Sequence, residues 1–244
     1  MHDPTHDSEF SRNLQRLREP GVAPDQPEVG SLPSGNVSEE DLEAGLKTGT
    51  TTVGLTTADG VVLATDMRAS LAGRFIASKD VQKVEQIHPT GAITMAGSVG
   101  GAQSFIRTLR AEVDLYEARR GEDMSISALA TLAGNFLRGG PFFMINPIIG
   151  GVDDEGGHVF TVDPAGGVMG DDYQVTGSGM QLAYGLLEQE FDEDLSNDDA
   201  ATVAARAVKS AAERDTASGD GVFLARIDEE GVEIEGHKDF DEVV

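Results

Sequence analysis

A chain of 244 residues is long enough for one large domain or two small ones, and this one sets 43 acidic residues against 18 basic ones for a formal net charge of -25. It has no cysteine, which excludes disulfides, thiolate zinc sites and a cysteine nucleophile. No basic patch is present, so nucleic acid is not an expected partner. Acids run together, as in Ser38-Glu39-Glu40-Asp41 and Phe191-Asp192-Glu193-Asp194, and only five of the basic residues are lysine. Such a surface repels itself at low ionic strength, and molar salt shortens the Debye length to about 3 Å. A salt-rich cytoplasm is the expected setting, although a basic protein partner would fit the same charge. No apolar run nears the roughly 20 residues that span a bilayer. The opening MHDPTHDSEF lacks a basic stretch followed by an apolar one, so neither a secretory signal nor a membrane partner is expected.

Residues 1 to 46 are rich in proline, glycine and acids, with one short amphipathic candidate around Phe10, Leu14 and Leu17. They read as a mostly irregular propeptide. At Lys47-Thr48-Gly49-Thr50-Thr51-Thr52-Val53-Gly54 the arm gives way to regular structure. Strands are expected over 51–57 and 61–66, joined by a turn at Ala58-Asp59-Gly60 in which Asp-Gly is a hairpin signal. Shorter strands follow at 75–76 and 81–87, and an apolar one over 91–97.

The spacing of Phe105, Leu109, Val113 and Tyr116 predicts one helix. A second is expected over 125–137, burying Leu129, Leu132 and Phe136. Strands are expected again at 142–151, 158–162 and 173–176, helices at 181–191 and 198–214, and strands at 222–227 and 232–234. Hairpins outnumber crossovers in this order. That suits an α+β fold, two antiparallel sheets face to face with helices outside.

The junction carries chemistry of its own. Cutting between Gly49 and Thr50 would free a threonine α-amine beside that residue's hydroxyl, so one residue would hold both nucleophile and base. An α-amine titrates at about 7.7 to 8.0, close enough to neutrality to serve as a base. Taken alone, the three threonines read more readily as the start of a strand. Asp66 and Lys83 lie in otherwise apolar strands and suggest an ion pair. Their plainer reading is a turn cap and a lysine that reaches solvent.

Several patterns lead nowhere. Gly97-Ser98-Val99-Gly100-Gly101 lacks the ending of a phosphate loop, and Thr176-Gly177-Ser178-Gly179 lacks the frame of a nucleophile elbow. Asp153-Asp154-Glu155-Gly156 lacks the spacing of a calcium loop, and none of the five histidines sits in an H-E-x-x-H pattern. Neither a metal nor a cofactor is expected.

Six segments in order carry a resemblance: Gly49 to Gly54, Gly60 to Ser70, Lys79 to Val84, Ala96-Gly97-Ser98, Thr176 to Gly179 and Arg214 to Gly219. From residue 49 onward the chain resembles a proteasome β subunit of the archaeal type, and its acidity is similar to that of haloarchaeal proteins. The resemblance implies the four-layer αββα sandwich of N-terminal-nucleophile hydrolases, with residues 1–49 removed and 50–244 forming one peptidase domain. It implies Thr50 as nucleophile, Asp66 and Lys83 as its acid and lysine, and Asp215, Ser218 and Ser178 as residues that position the Thr50 amine. Gly97 would stabilise the oxyanion through its backbone N–H. Ser70 and Val99 would grip the substrate main chain.

The implied specificity pocket is Ala69, Val81 and Met95. It holds no charge, which favours bulky apolar side chains before the cut, a chymotrypsin-like preference. The implied partners are proteasome α subunits, other β subunits in seven-membered rings stacked as α7β7β7α7, an ATP-dependent unfoldase cap and unfolded protein substrates. One departure is the loop Leu71-Ala72-Gly73-Arg74, a residue longer than in the family. Two rival readings are a silent ring scaffold and an amidohydrolase for a small substrate.

Overall fold

The computed structural model describes residues 49–71, 73–139, 142 and 145–244. The expected propeptide, with its candidate helix around Phe10, Leu14 and Leu17, falls almost wholly outside them.

The first sheet begins where the threonines do. Strands β1 (Thr51–Thr56) and β2 (Val61–Asp66) form the expected hairpin, with Thr52 opposite Thr65 and Leu55 opposite Val62. Strand β10 (Tyr173–Gly177) pairs with β1, while β11 (Val222–Asp228) and β12 (Gly231–His237) extend the other edge. The order is β10-β1-β2-β11-β12, antiparallel throughout. The second sheet runs β5 (Val84–His88), β6 (Gly91–Thr94), β7 (Ile148–Asp153), β8 (Gly156–Val162) and β9 (Val168–Gly170) in chain order. A small hairpin of β3 (Ala69–Leu71) and β4 (Phe75–Ser78) stands apart.

Alternation along β2 explains why both faces are covered. Val61 and Leu63 join Val84, Ala92, Ile148, Val159, Ala225 and Ile227 between the two sheets. Val62 and Ala64 point the other way, into a core shared with the helices α3 (Met180–Glu190) and α4 (Asn197–Ala212). Small residues let these layers approach. Alanines 200, 201, 204, 205, 207 and 211 of α4 are all fully buried. A Cβ on Gly54 would lie 2.9 Å from Ile148 and Val159 of the opposing sheet. Helices α1 (Val99–Arg120) and α2 (Ile126–Gly139) cover the outer face of the second sheet, completing αββα. No helix among the described residues is long and apolar enough to cross a membrane.

Four expectations need correcting. Residues 81–83 are not strand, so β5 starts at Val84. The strand expected from residue 142 starts at Ile148, just after Pro147, which has no N–H to give a ladder. Met95 to Gly97 leave the ladder after Thr94, and Gly97 keeps only an isolated bridge to Ile145. In α2 the face on the sheet is Ile126, Leu129, Ala130, Ala133 and Leu137, which leaves Leu132 and Phe136 half-buried on the flank. Strands β3 and β9 have three residues each, too few for any periodicity to show.

Candidate active site

Thr50 sits one residue before β1, 3% exposed, at the end of the first sheet. Its hydroxyl donates to Asp66 Oδ1 at 2.5 Å and accepts from Lys83 Nζ at 2.5 Å. Lys83 Nζ also reaches Asp66 Oδ1 at 2.7 Å, so the three polar atoms close a triangle. Asp66 is the last residue of β2 and wholly buried. Its charge is met on every side, with Thr51 N–H at 3.0 Å on Oδ1 and the N–H groups of Arg68 and Gly219 at 3.0 Å on Oδ2. A carboxylate so placed would be costly without these partners. Burial pushes the Lys83 ammonium below the ordinary lysine range, against the attraction of Asp66 and then of Asp215. Lys83 is not the solvent-facing lysine of the plainer reading, whereas Asp66 both pairs with Lys83 and caps the turn that follows β2 through the Arg68 N–H.

A second network holds the Thr50 nitrogen. The Thr50 N–H donates to Ser178 Oγ at 3.1 Å, and Ser178 donates in turn to Asp215 Oδ2 at 2.5 Å. Ser218 donates to the same Oδ2 at 2.7 Å. With that proton committed, the 2.8 Å contact between Thr51 Oγ1 and Ser218 Oγ runs from threonine to serine. Thr51 was not expected in the site, because a buried hydroxyl within a threonine run looks like strand propensity alone. Glycines make the room. A Cβ at Gly177, whose φ is 96°, would stand 2.0 Å from the Thr50 carbonyl oxygen, and one at Gly179 would stand 2.1 Å from Thr51 Oγ1.

The cleft beside Thr50 gathers all five expected substrate residues, Ala69, Ser70, Val81, Met95 and Val99, together with Gly97. Arg68, Gln82, Ala102 and Gln103 also line it and were not anticipated. The spacing of Val99, Ala102 and Gln103, three and four apart at the start of a helix, places them on one face and was the available signal. The lining is therefore less uniformly apolar than Ala69, Val81 and Met95 alone imply. Ser70 Oγ is buried without a hydrogen-bond partner. The acids of 153–156 lie elsewhere, and among the described residues no cluster of three or more His, Asp or Glu could hold a metal ion.

Two stacked antiparallel sheets with a helix layer on each outer face are the α+β sandwich of the N-terminal-nucleophile hydrolases. Within that class the comparisons are specific. The proteasome subunit family matches residues 46–227. The chain is 71% identical to a proteasome subunit beta of Natrialba magadii over 244 residues, all of both chains. It is 66% identical to proteasome subunit beta 1 of Haloterrigena turkmenica, again over all of both chains. With a proteasome subunit beta of Halobacterium salinarum it shares 61% over 241 residues, 99% of each. The chain belongs to the proteasome subunit family, as a β subunit of the haloarchaeal type.

Proposed function

We propose that this chain is the proteolytic subunit of a proteasome core particle, a threonine endopeptidase whose nucleophile is Thr50. The observation that carries the reading is the closed contact of the Thr50 hydroxyl with Lys83 and Asp66 at 2.5 Å each.

In the uncut chain the Thr50 nitrogen is an amide and cannot act as a base. Lys83 is then the basic group that touches Oγ1, and because burial lowers its pKa more of it is unprotonated, and so free to take a proton, than of an exposed lysine. Oγ1 attacks the Gly49 carbonyl carbon, its proton passes to Lys83 and from there to the departing Thr50 nitrogen, and the Gly49–Thr50 amide breaks to leave an ester on Oγ1. Water hydrolyses that ester, releasing residues 1–49 and a free Thr50 amine. Activation is therefore autocatalytic. In the mature subunit the amine, titrating near 7.7 to 8.0, lies beside Ser178 and the Asp215–Ser218 pair and joins Lys83 in moving the proton.

A peptide substrate lies as an added strand along Ser70 and Val99. Oγ1 attacks its carbonyl carbon, the Gly97 N–H stabilises the oxyanion, and the proton is passed to the departing amine. Water then hydrolyses the acyl ester and regenerates Thr50. Substrates are unfolded proteins, delivered by an ATP-dependent unfoldase into α7β7β7α7 barrels built with proteasome α subunits. The particle works in the cytoplasm.

Ala69, Val81 and Met95 give no counter-charge to the side chain before the cut, and Met95 repacks readily around bulky groups. The preference is chymotrypsin-like. Assembled particles tested on fluorogenic peptides with Tyr, Arg or Glu before the cut should show the highest kcat/KM for Tyr, and Thr50→Ala should abolish all three. Faster cleavage of the Arg or Glu peptide would refute the preference. Turnover by Thr50→Ala would refute the nucleophile.

A further inference from the structure

Just past Ser218 the backbone takes an unusual path. Gly219, Asp220 and Gly221 have φ values of 145°, 64° and 120°, and Asp220 is the one non-glycine residue at positive φ among the described residues. Aspartate tolerates this region better than most residues, yet such geometry persists only where neighbours over-determine it. Arg68 does so here. Its Nε donates to Asp220 Oδ2 at 2.7 Å and its Nη1 to the Thr216 carbonyl at 2.9 Å, spanning the turn from both ends. The guanidinium lies across Gly219, where a Cβ would come within 2.6 Å of Nη2.

The clamped turn is shared with the site. It begins at Asp215, carries Ser218, delivers the Gly219 N–H to Asp66 Oδ2, and presents the Gly219 and Gly221 carbonyls to the Met67 N–H. Arg68 also sends its own N–H to Asp66 Oδ2. The charges facing Asp220 are Arg68, from the segment after β2, and the mostly exposed Lys79, from the segment after β4. Those facing Lys83 include Asp66, Asp215 and Arg68. Burial disfavours the Asp220 carboxylate, but Arg68 outweighs it and holds the group below the usual carboxylate range.

We propose that Asp220 is a positioning residue for the peptidase reaction: through Arg68 it locks residues 215–220 in the shape that sets Asp215 and Ser218 against Ser178, and so against the Thr50 nitrogen. The idea rests on Thr50 being the nucleophile. Asp220 itself does not line the substrate cleft. Losing it disturbs how the base is held more than how substrate binds. Its charge also balances that of Arg68, which is repulsive toward Lys83.

The test is Asp220→Asn in assembled, processed particles, since asparagine keeps the size and accepts positive φ. On a tyrosyl peptide kcat should fall about tenfold while KM stays within about twofold. The acid limb of kcat/KM should move to lower pH, because uncompensated Arg68 favours loss of the proton from the Thr50 amine. Arg68→Lys keeps the charge but cannot span both Thr216 and Asp220. It should lower kcat without moving the limb, and it supplies the reading if Asp220→Asn does not assemble. Wild-type kcat and limb in both variants would overturn the proposal. So would a loss that vanishes when rates are divided by the number of Thr50 N-termini. A wild-type particle with no peptidase activity would instead overturn the nucleophile reading.

Discussion

Gly49 fits its position because it has no side chain: a Cβ there would lie 2.2 Å from the Ala217 Cβ and 2.5 Å from Ser178 Oγ. Gly49→Ala must push the scissile carbonyl away from Thr50 Oγ1, and misplacement of that order costs about a hundredfold in rate. The expected outcome is precursor that persists on a denaturing gel while wild type is fully cut. Lys83 separates two roles that one positive charge could fill. Lys83→Arg keeps a cation beside Asp66, but a guanidinium does not give up its proton in proteins. If Lys83 accepts the Thr50 proton, peptide hydrolysis should fall by about 10²-fold or more. Near-normal turnover would reduce Lys83 to an electrostatic partner. Lys83→Ala is the blunter test, since leaving Asp66 buried and unpaired costs about 3–5 kcal/mol.

At the scale of elements, α2 is anchored by a residue first weighed as a cation ligand. Asp153, at the end of β7, accepts the Ile126 N–H at the start of α2 at 2.8 Å, the Glu155 N–H at 3.0 Å and His158 Nε2 at 2.9 Å. Burial works against its ionisation, but these hydrogen bonds prevail and its pKa is lowered. A carboxylate so depressed contributes stability that is complete above its unfolded value, about 3.9, and is lost as pH falls through the lower folded value. Asp153→Ala should cost about 1–2 kcal/mol at neutral pH, read as a shift in denaturant midpoint. The difference from wild type should shrink in strong acid.

Long elements were legible because their periods repeat over several turns, as with Phe105, Leu109 and Val113 on α1, all buried. The charged pair was legible because Asp66 closes one apolar strand and Lys83 stands just before another. Arg68 and Asp220 were not, since an arginine and an aspartate 152 positions apart look like ordinary surface residues until β2 and β11 pair and bring Asp66 opposite Val222. The start of β7 was blurred by the apolar sequence over 142–145 that precedes the ladder.

For the whole molecule, the net charge of -25 sets subunits against one another. Apolar contact surface is nonetheless present, with Leu71 57% and Phe75 65% exposed on the β3–β4 hairpin. Assembly should be favoured at molar salt, where screening reaches about 3 Å, and particles should dissociate as salt is removed. Sedimentation showing intact particles indefinitely at low salt would contradict this.

The most direct test of the account is the intact mass and N-terminal residue of purified, active protein. Cleavage before Thr50 predicts a chain of residues 50–244 beginning with threonine, and activity proportional to its amount. Active protein that still begins at Met1 would leave the Thr50 amine locked in a peptide bond and contradict the mechanism.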